Sequence, residues 1–344
     1  MQFIKPGINI DFIGKRKIAF MLSLVLIIVS IVTLVINRGP RYGIDFAGGT
    51  LVQVKFDTPV EIDRIKDGLQ ALTLEASSVQ QFGQATDHEY LIRTEATTSA
   101  MEGLSEKLQQ QLADATGVPV EIRRVEMVGP QVGQDLREKA LLAMFYALLF
   151  ITVYISGRFE LKWAKSGVVA AAIMGAVYVL SRFDVPIPYL MLAALVVSLV
   201  IFWFFEFKYA MGAIVAIIHD VTVTVGIFSI FDKEFTLPIV AALLTIIGYS
   251  LNDTIIVFDR IRENLRKYHK DPLNVILNRS INETLSRTIL TSLTTLVVVI
   301  ALFVLGGGII HDFSFALLIG ILIGTYSSIY VASPILLAWQ TRRR

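Results

Sequence analysis

Eight long apolar runs divide the chain, and polar segments separate them. The runs cover residues 18–36, 138–156, 164–181, 187–206, 209–231, 236–258, 285–305 and 313–339. A helix of about 20 apolar residues crosses the hydrocarbon core of a bilayer. The pattern therefore predicts an α-helical polytopic membrane protein with eight transmembrane helices. Pro186 and Pro188 break the chain between the third and fourth runs, so a re-entrant hairpin formed by 164–181 and 187–206 is the alternative there.

The segment 41–136 is soluble in character and shows two periodicities. Residues 50–56, 77–82, 89–94 and 120–128 alternate like strands, whereas 60–72 and 99–115 have helical spacing, with Ser99 as a predicted N-cap. The order β-α-β-β-α-β predicts a small ferredoxin-like α+β domain. Gly48 and Gly49, just before the first strand, permit an irregular backbone.

Lys and Arg residues are concentrated in alternate connections. They occur at 15–17 (KRK), between 158 and 165, at 208, between 260 and 279, and at 342–344 (RRR). Cytoplasmic connections of membrane proteins carry an excess of Lys and Arg. We therefore expect both termini in the cytoplasm and the 41–136 domain on the periplasmic side.

These features divide the chain into five segments. Residues 1–40 form a cytoplasmic N-terminus and a retained first transmembrane helix, because its apolar run is longer than the core of a signal peptide. Residues 41–136 form the periplasmic domain, 137–160 the second transmembrane helix, 161–206 two further helices, and 207–344 the last four. The connection 259–284 alternates apolar and basic residues, which indicates either amphipathic helices on the inner membrane surface or a solvated loop.

The composition excludes several kinds of chemistry. The chain of 344 residues is 54% hydrophobic with a mean hydropathy of +0.65, which is typical of a membrane protein. It has no cysteine, and its four histidines lack zinc-type spacing. No Gly-x-x-x-x-Gly-Lys-Ser/Thr motif for nucleotide phosphates occurs. We expect no cofactor, no metal and no enzymatic activity, so energy must come from an ion gradient or a partner.

Polar residues inside three neighbouring apolar runs are candidates for function. Asn252 and Asp253 lie within the run 236–258, His219 and Asp220 lie in the preceding run, and Arg287 lies at the start of the next one. An ionisable residue near the bilayer centre costs a few kcal/mol or more, so it marks a functional site by default. The alternative for Asp253 is a neutral carboxyl that only hydrogen-bonds a neighbouring helix.

Asp253 and Arg287 are predicted to form a proton relay. Both enter the membrane from the same side, so they can lie at similar depth on adjacent antiparallel helices. A nearby guanidinium keeps a buried carboxylate ionised, and a movement that separates the two lets the carboxylate take up a proton. Asn252 lies beside Asp253, and Asp220 is either a relay member or a structural hydrogen-bonding residue.

Four segments of the sequence resemble the SecF family of bacterial protein-export membrane proteins. They are 42–50 (YGIDFAGGT), 128–133 (VGPQVG), 212–221 (GAIVAIIHDV) and 248–264 (GYSLNDTIIVFDRIREN), and together they extend over nearly the whole chain in the family's order. The motif residues are Gly43, Asp45, Gly48, Gly49, Gly129, Pro130, Gly133, Gly248, Asp259 and Arg260. The family is related to the resistance-nodulation-division transporters.

The resemblance implies a function and a set of partners. It implies that the protein uses the proton-motive force with SecD to promote translocation of polypeptides through the SecYEG channel of the bacterial inner membrane. Asp253 and Arg287 match the aspartate and arginine implicated in proton conduction by the family. The implied partners are SecD, SecYEG, the unfolded translocating polypeptide and the lipid bilayer, with YajC and YidC as further candidates and no nucleic acid.

One segment departs from the family pattern, which usually has six spans. Residues 161–206 form an extra two-helix segment, and Phe159-Glu160 and Lys208 resemble the two sides of one family junction. The segment brings no ionisable residue to mid-membrane. We therefore expect it at the periphery of the bundle.

Two other classes of protein share buried aspartates in membrane spans. An efflux pump of the resistance-nodulation-division type would need a larger external domain to form a substrate cavity. An intramembrane aspartyl protease needs two carboxylates in contact, and such proteases carry Gly-x-Gly-Asp where this chain has Ser250-Leu251-Asn252-Asp253.

Overall fold

The protein is a bundle of long helices with a small α+β domain at one end. The computed structural model describes residues 8–70, 78–82, 85–94, 104–183 and 185–341. In chain order the elements are α1 (Arg16–Ile36), α2 (Ile44–Ala47), β1 (Gly49–Phe56), α3 (Ile62–Gln70), β2 (Ser78–Phe82), β3 (Glu89–Thr94), α4 (Leu104–Thr116), β4 (Val120–Val128), α5 (Pro130–Glu160), α6 (Trp163–Leu180), α7 (Ile187–Phe204), α8 (Lys208–Ile230), α9 (Leu237–Lys267), α10 (Leu273–Leu305), α11 (Gly308–Ser327) and α12 (Ser333–Thr341). A π-helical turn, Ser328–Ala332, joins α11 to α12.

The α+β domain is an antiparallel sheet in the order β2-β3-β1-β4. Alternate residues of β1, among them Val52, Val54 and Phe56, are buried in one core with residues of α3 and α4. This arrangement confirms the predicted β-α-β-β-α-β order of a ferredoxin-like domain. Both β3 and β4 have the predicted bounds, whereas the predicted N-cap Ser99 lies outside the described residues.

Eight helices among the described residues are long and apolar enough to cross a membrane, which confirms the predicted fold class. They are α1, α5, α6 with its following turn, α7, α8, α9, α10, and α11 continued through α12. The pair 164–181 and 187–206 forms two separate helices, each of at least 18 residues. Each is about 27 Å long or more, close to the thickness of the hydrocarbon core.

Most of the predicted connection 259–284 is helical and continues the two neighbouring spans. Helix α9 has 31 residues and α10 has 33, so only residues 268–272 connect them. At 1.5 Å per residue the helices are about 46 and 50 Å long and extend well beyond a hydrocarbon core of about 30 Å. Ile261, Leu277 and Ile281 are buried in the protein core with Phe12. The apolar side of this helical hairpin is therefore covered by protein rather than by the membrane surface.

Helix α8 is the centre of the bundle and packs against α1, α5, α9 and α11. Small residues permit these close contacts. A Cβ atom at Gly226 would lie 2.1 Å from Ser30 Cβ of α1, and one at Gly212 would lie 3.0 Å from the carbonyl oxygen of Ala332. Residues in the middle of α8 are consequently enclosed by protein on every side.

The segment 161–206, predicted from the sequence to be an insertion, forms α6 and α7, and its two ends meet. The Tyr209 N–H of α8 donates to Glu160 Oε1 at 3.0 Å, and Lys162 Nζ donates to the carbonyls of Phe205 and Glu206 at 3.0 and 3.1 Å. The hairpin packs mainly on α5 through a separate apolar cluster that includes Leu149. Such closure is what an insertion at a single junction requires.

The end of the bundle opposite the α+β domain is held together by polar contacts. Helix α5 begins beside that domain and ends here, where Arg158 pairs with Asp259 of α9 at 2.6 Å. The chain before α1 lies along α10. Ile10 N–H donates to Asn282 Oδ1 at 2.8 Å, and Asn282 Nδ2 donates to the Ile10 carbonyl at 2.9 Å.

Candidate functional site

Asp253 lies in the interior of the bundle on α9 and is 1% exposed. Among the described residues its Oδ2 has no hydrogen-bond partner. The polar side chains that interact with its carboxyl group are Ser292 and Arg287 of α10. A carboxylate oxygen without a partner in an apolar interior carries a desolvation cost, which either a proton or a cation relieves.

Arg287 lies at the same depth as Asp253, as the sequence predicts. Asp253 is 14 residues before the end of α9 (253 to 267), and Arg287 is 14 residues after the start of α10 (273 to 287). Each is therefore about 21 Å from the connection between the helices. In the described part of the chain Arg287 makes no ion pair within 4.0 Å, and its side chain is exposed. The two residues therefore form no direct ion pair.

Asn252 and Asp253 face different surroundings although they are neighbours in sequence. Successive residues of a helix are separated by about 100°, so a buried position is followed or preceded by one that points elsewhere. Asn252 is exposed on the outside of α9, and Thr245 of the same helix and Thr294 of α10 are exposed as well. Polar side chains thus lie on the exposed face of α9 and α10, two helices that are apolar enough to span a membrane.

Asp220 lies in a second polar cluster, which joins three helices. Its Oδ2 accepts hydrogen bonds from Ser250 of α9 at 2.6 Å and from Ser327 of α11 at 2.8 Å. Its Oδ1 contacts His219 Nδ1 at 2.9 Å. Asp220 is 1% exposed, and both of its carboxylate oxygens have partners. In this respect it differs from Asp253.

The two clusters are close along α9 and α11. Ser250 lies three residues before Asp253 and thus nearly one turn away on the same side of α9. Ser292, which interacts with Asp253, bonds Thr325 of α11 at 2.7 Å, and Ser327 follows two residues later. Hydroxyl groups therefore connect the surroundings of Asp253 to those of Asp220.

The predicted motif residues near 43–49 form a loop at the end of the bundle that carries the α+β domain, here termed the outer end. We call this loop the GG loop (residues 41–49). Gly48 and Gly49 have φ of +78° and +117°, which other residues rarely adopt. A Cβ at Gly48 would lie 2.8 Å from Pro130 Cα, and one at Gly133 would lie 3.0 Å from Gly48 N. The glycines thus let the loop pack on the first turn of α5, which begins after Gly129.

The remaining motif residues lie on α9. Asp259 pairs with Arg158 of α5, and Arg260 pairs with Glu263 at 3.0 Å and approaches Glu283 at 3.7 Å. Gly248 faces open space on the exposed side of the helix. No group of three or more His, Asp and Glu side chains in the described ranges is placed to hold a metal ion.

Sequence reasoning missed four residues that the structure places at these sites: Ser250, Ser327, Arg93 and Glu234. The serines are small and common in membrane helices, so only their position opposite a carboxylate distinguishes them. Arg93 of β3 and Glu234 before α9 form an ion pair across 141 residues of sequence, and no local pattern indicates it.

Fold and site together define a multi-pass membrane protein with a carboxylate enclosed in its helical bundle and a ferredoxin-like domain at one end. The chain matches the family described as "Protein export membrane protein SecD/SecF, C-terminal" over residues 107–195 and 187–342, and "SecD/SecF GG Motif" over residues 33–60. It belongs to the SecD/SecF family, on the SecF side, and is a subunit of Sec protein export.

Relatives along the full length support this assignment. Protein translocase subunit SecF of Magnetococcus marinus is 45% identical over 341 residues, covering 98% of this chain and 94% of that protein. The subunit of Calditerrivibrio nitroreducens is 39% identical over 348 residues, covering 100% and 98%, and that of Vibrio alginolyticus 41% over 336 residues, covering 98% and 91%. The predicted resemblance is thereby confirmed.

Solved structures of SecDF share the fold. The crystal structure of SecDF from Thermus thermophilus, a translocon-associated membrane protein, matches with a TM-score of 0.71 at 30% identity. A super-membrane-facing form of SecDF matches with a TM-score of 0.60, also at 30% identity. The matches cover 99% and 100% of this chain but only 40% of each SecDF chain.

Proposed function

We propose that the protein uses the proton-motive force to promote polypeptide export and that Asp253 is the group that binds the proton. The observation that carries this proposal is the unpaired Oδ2 of a carboxyl group that is 1% exposed. Such a group changes its protonation state when a nearby cation moves. Arg287 lies at the same depth without touching it, so a small shift of α10 relative to α9 changes the affinity of Asp253 for the proton.

SecD is the partner that completes this site. Asn252 of α9 and Arg287 of α10 are exposed in membrane-spanning helices, where contact with lipid is unfavourable. The matched SecDF structures support the presence of a partner, because this chain accounts for only 40% of each, and the exposed polar groups favour this face for it. SecD packed on α9 and α10 shields these groups and brings Arg287 into a closed site.

The surroundings of the protein follow from the same reasoning. The bacterial inner membrane holds the bundle, with both termini in the cytoplasm and the α+β domain in the periplasm, as the distribution of Lys and Arg favours. The complex acts beside SecYEG, with YajC and YidC as further partners. The α+β domain contacts the unfolded polypeptide as it emerges.

The decisive experiment compares Asp253→Asn with the parent after reconstitution with SecD and SecYEG. The amide keeps the size of the side chain and cannot titrate, so gradient-driven export and ion current should both be lost while SecD still binds. Glu263→Gln is the matched control, because this carboxylate lies on the same helix and its side chain is 62% exposed. Separate proton and sodium gradients identify the ion.

Variants of Arg287 test its role. Arg287→Lys keeps the positive charge without the planar fork and should be partly active, whereas Arg287→Ala should be inactive because no cation remains to release the proton. Normal current and export by Asp253→Asn would contradict the proposal and leave Asp253 as a packing residue.

A further inference from the structure

The outer end of α9, the helix that carries Asp253, is held by the GG loop. The N-cap residue Thr236 makes no side-chain hydrogen bond to the helix. Instead the Leu237 N–H donates to Asp45 Oδ2 of the GG loop at 2.9 Å. A carboxylate at a helix N-terminus is favoured by the helix dipole and satisfies a free N–H group. The cap of α9 is therefore supplied by a residue 192 positions earlier in the chain.

Backbone contacts extend this attachment. Gly43 N–H donates to the Phe235 carbonyl at 2.8 Å, and Phe235 N–H donates to the Arg41 carbonyl at 2.7 Å. The two segments thus pair as in a short parallel ladder. The α8–α9 connection is consequently joined to the GG loop through backbone as well as side chains.

An ion pair joins the same connection to the sheet. Arg93 of β3 pairs with Glu234, and the two side chains are only 16% and 19% exposed. Burial raises the pKa of Glu234, which the charges of Arg93 and Arg41 oppose, and burial lowers the pKa of Arg93, which Glu234 opposes. By contrast Asp232, which pairs with Arg41 nearby, is 74% exposed, and such pairs contribute little. The shielded pair is thus the firmer link.

The GG loop is fixed on its other side to α5. Its glycines approach Pro130 and Gly133 so closely that a Cβ atom would not fit without displacement, as the distances above show. Strand β4 also continues directly through Gly129 into α5. The loop therefore lies between the outer ends of α5 and α9 and belongs covalently to the α+β domain through β1.

We propose that the GG loop and the Arg93–Glu234 pair act as a rigid latch that makes the outer end of α9 and the α+β domain move together. The inference rests on the proposed function and adds the route by which protonation of Asp253 reaches the periplasmic side. From Leu237 to Asp253 is 16 residues of continuous helix, about 24 Å, so a tilt or shift at Asp253 reaches the latch without a flexible joint. Arg93, Glu234 and Asp45 are thus positioning residues for export.

The latch is tested by separating ion flux from export. Glu234→Ala, reconstituted with SecD and SecYEG, should keep the ion flux of the parent while gradient-driven export falls at least about fivefold, the lower end of coupling between sites. Asp232→Ala is the matched control in the same connection and should keep both. Parallel loss of flux and export, or no loss of either, would overturn the latch.

An engineered disulfide tests whether Glu234→Ala impairs export by uncoupling α9 from the α+β domain or by disturbing the fold. A Cβ at Gly43 would lie 3.5 Å from Thr236 Cβ, within the range for a disulfide, and the chain has no cysteine of its own. Oxidised Gly43→Cys/Thr236→Cys should restore export to Glu234→Ala, and reduction should remove it again. A staple that blocks export in the otherwise unchanged chain would show that the contact must open and would refute rigid coupling. Failure of the proposed function would show separately, as normal export by Asp253→Asn.

Discussion

The cluster around Asp220 makes a quantitative prediction about stability. Ser327 and Ser314 both lie on α11, and both are 0% exposed. Ser327 donates to Asp220 Oδ2 on α8 and also approaches the Gly324 carbonyl of its own helix. Within the described residues, Ser314 donates to the Ile310 and His311 carbonyls of its own helix and to no other helix. Replacing each by alanine removes the same atom. The difference between the two variants therefore isolates the bond between helices.

The expected size follows from the partner of each hydroxyl. A hydrogen bond to a charged group contributes about 1.5–3 kcal/mol in soluble proteins. Bonds between membrane helices average about 0.6 and reach about 1.7 kcal/mol. We therefore expect Ser327→Ala to lower the free energy of unfolding by about 1–2 kcal/mol, since its acceptor is a buried carboxylate. Ser314→Ala should change it by less than about 0.5 kcal/mol, because bonding within the helix contributes little.

The assay is equilibrium unfolding of the purified protein in one detergent, with both variants compared with the parent. A loss of about 1–2 kcal/mol corresponds to roughly 5–30-fold in the ratio of folded to unfolded protein, which is readily resolved. Combining Ser327→Ala with Asp220→Ala should give a smaller loss than the sum of the two, because both remove the same bond. Equal effects of Ser327→Ala and Ser314→Ala, or strict additivity, would refute the role of Asp220 as a clamp between helices.

Three further predictions concern topology, the extra segment and the N-terminal chain. A cysteine at Gln109 should react with an impermeant thiol reagent in intact spheroplasts and one at Lys267 should not; the opposite pattern would reverse the orientation. Deletion of 161–206 should leave measurable export, because the ends of the segment meet and it packs mainly on α5; complete loss with normal insertion and partner binding would contradict its peripheral role. Asn282→Ala should increase protease cleavage near Ile10, since two hydrogen bonds are lost, and unchanged cleavage rates would contradict this.

Much of this architecture is visible in the sequence because the bilayer imposes simple requirements. A span needs a long apolar run, and a half-buried strand needs alternation, so the eight helices and the β-α-β-β-α-β order follow from local composition. Asp253 can also be recognised from the sequence, because a carboxylate within an apolar run is unusual whatever the tertiary arrangement of the helix. The similar depth of Asp253 and Arg287 follows from their similar distances along the chain to the connection between α9 and α10.

Only the tertiary structure decided which side of each helix is buried and which distant residues contact each other. The periodicity of 259–284 predicts helices with one apolar side. It does not show whether that side contacts the membrane surface or the protein core, where Ile261 is in fact buried with Phe12. Asn252 and Asp253 are adjacent in sequence, yet packing buries one and exposes the other. The Arg93–Glu234 pair and the cap of α9 by Asp45 join residues more than 140 positions apart. Such contacts depend on how whole elements approach each other, and no local pattern of residues encodes that approach.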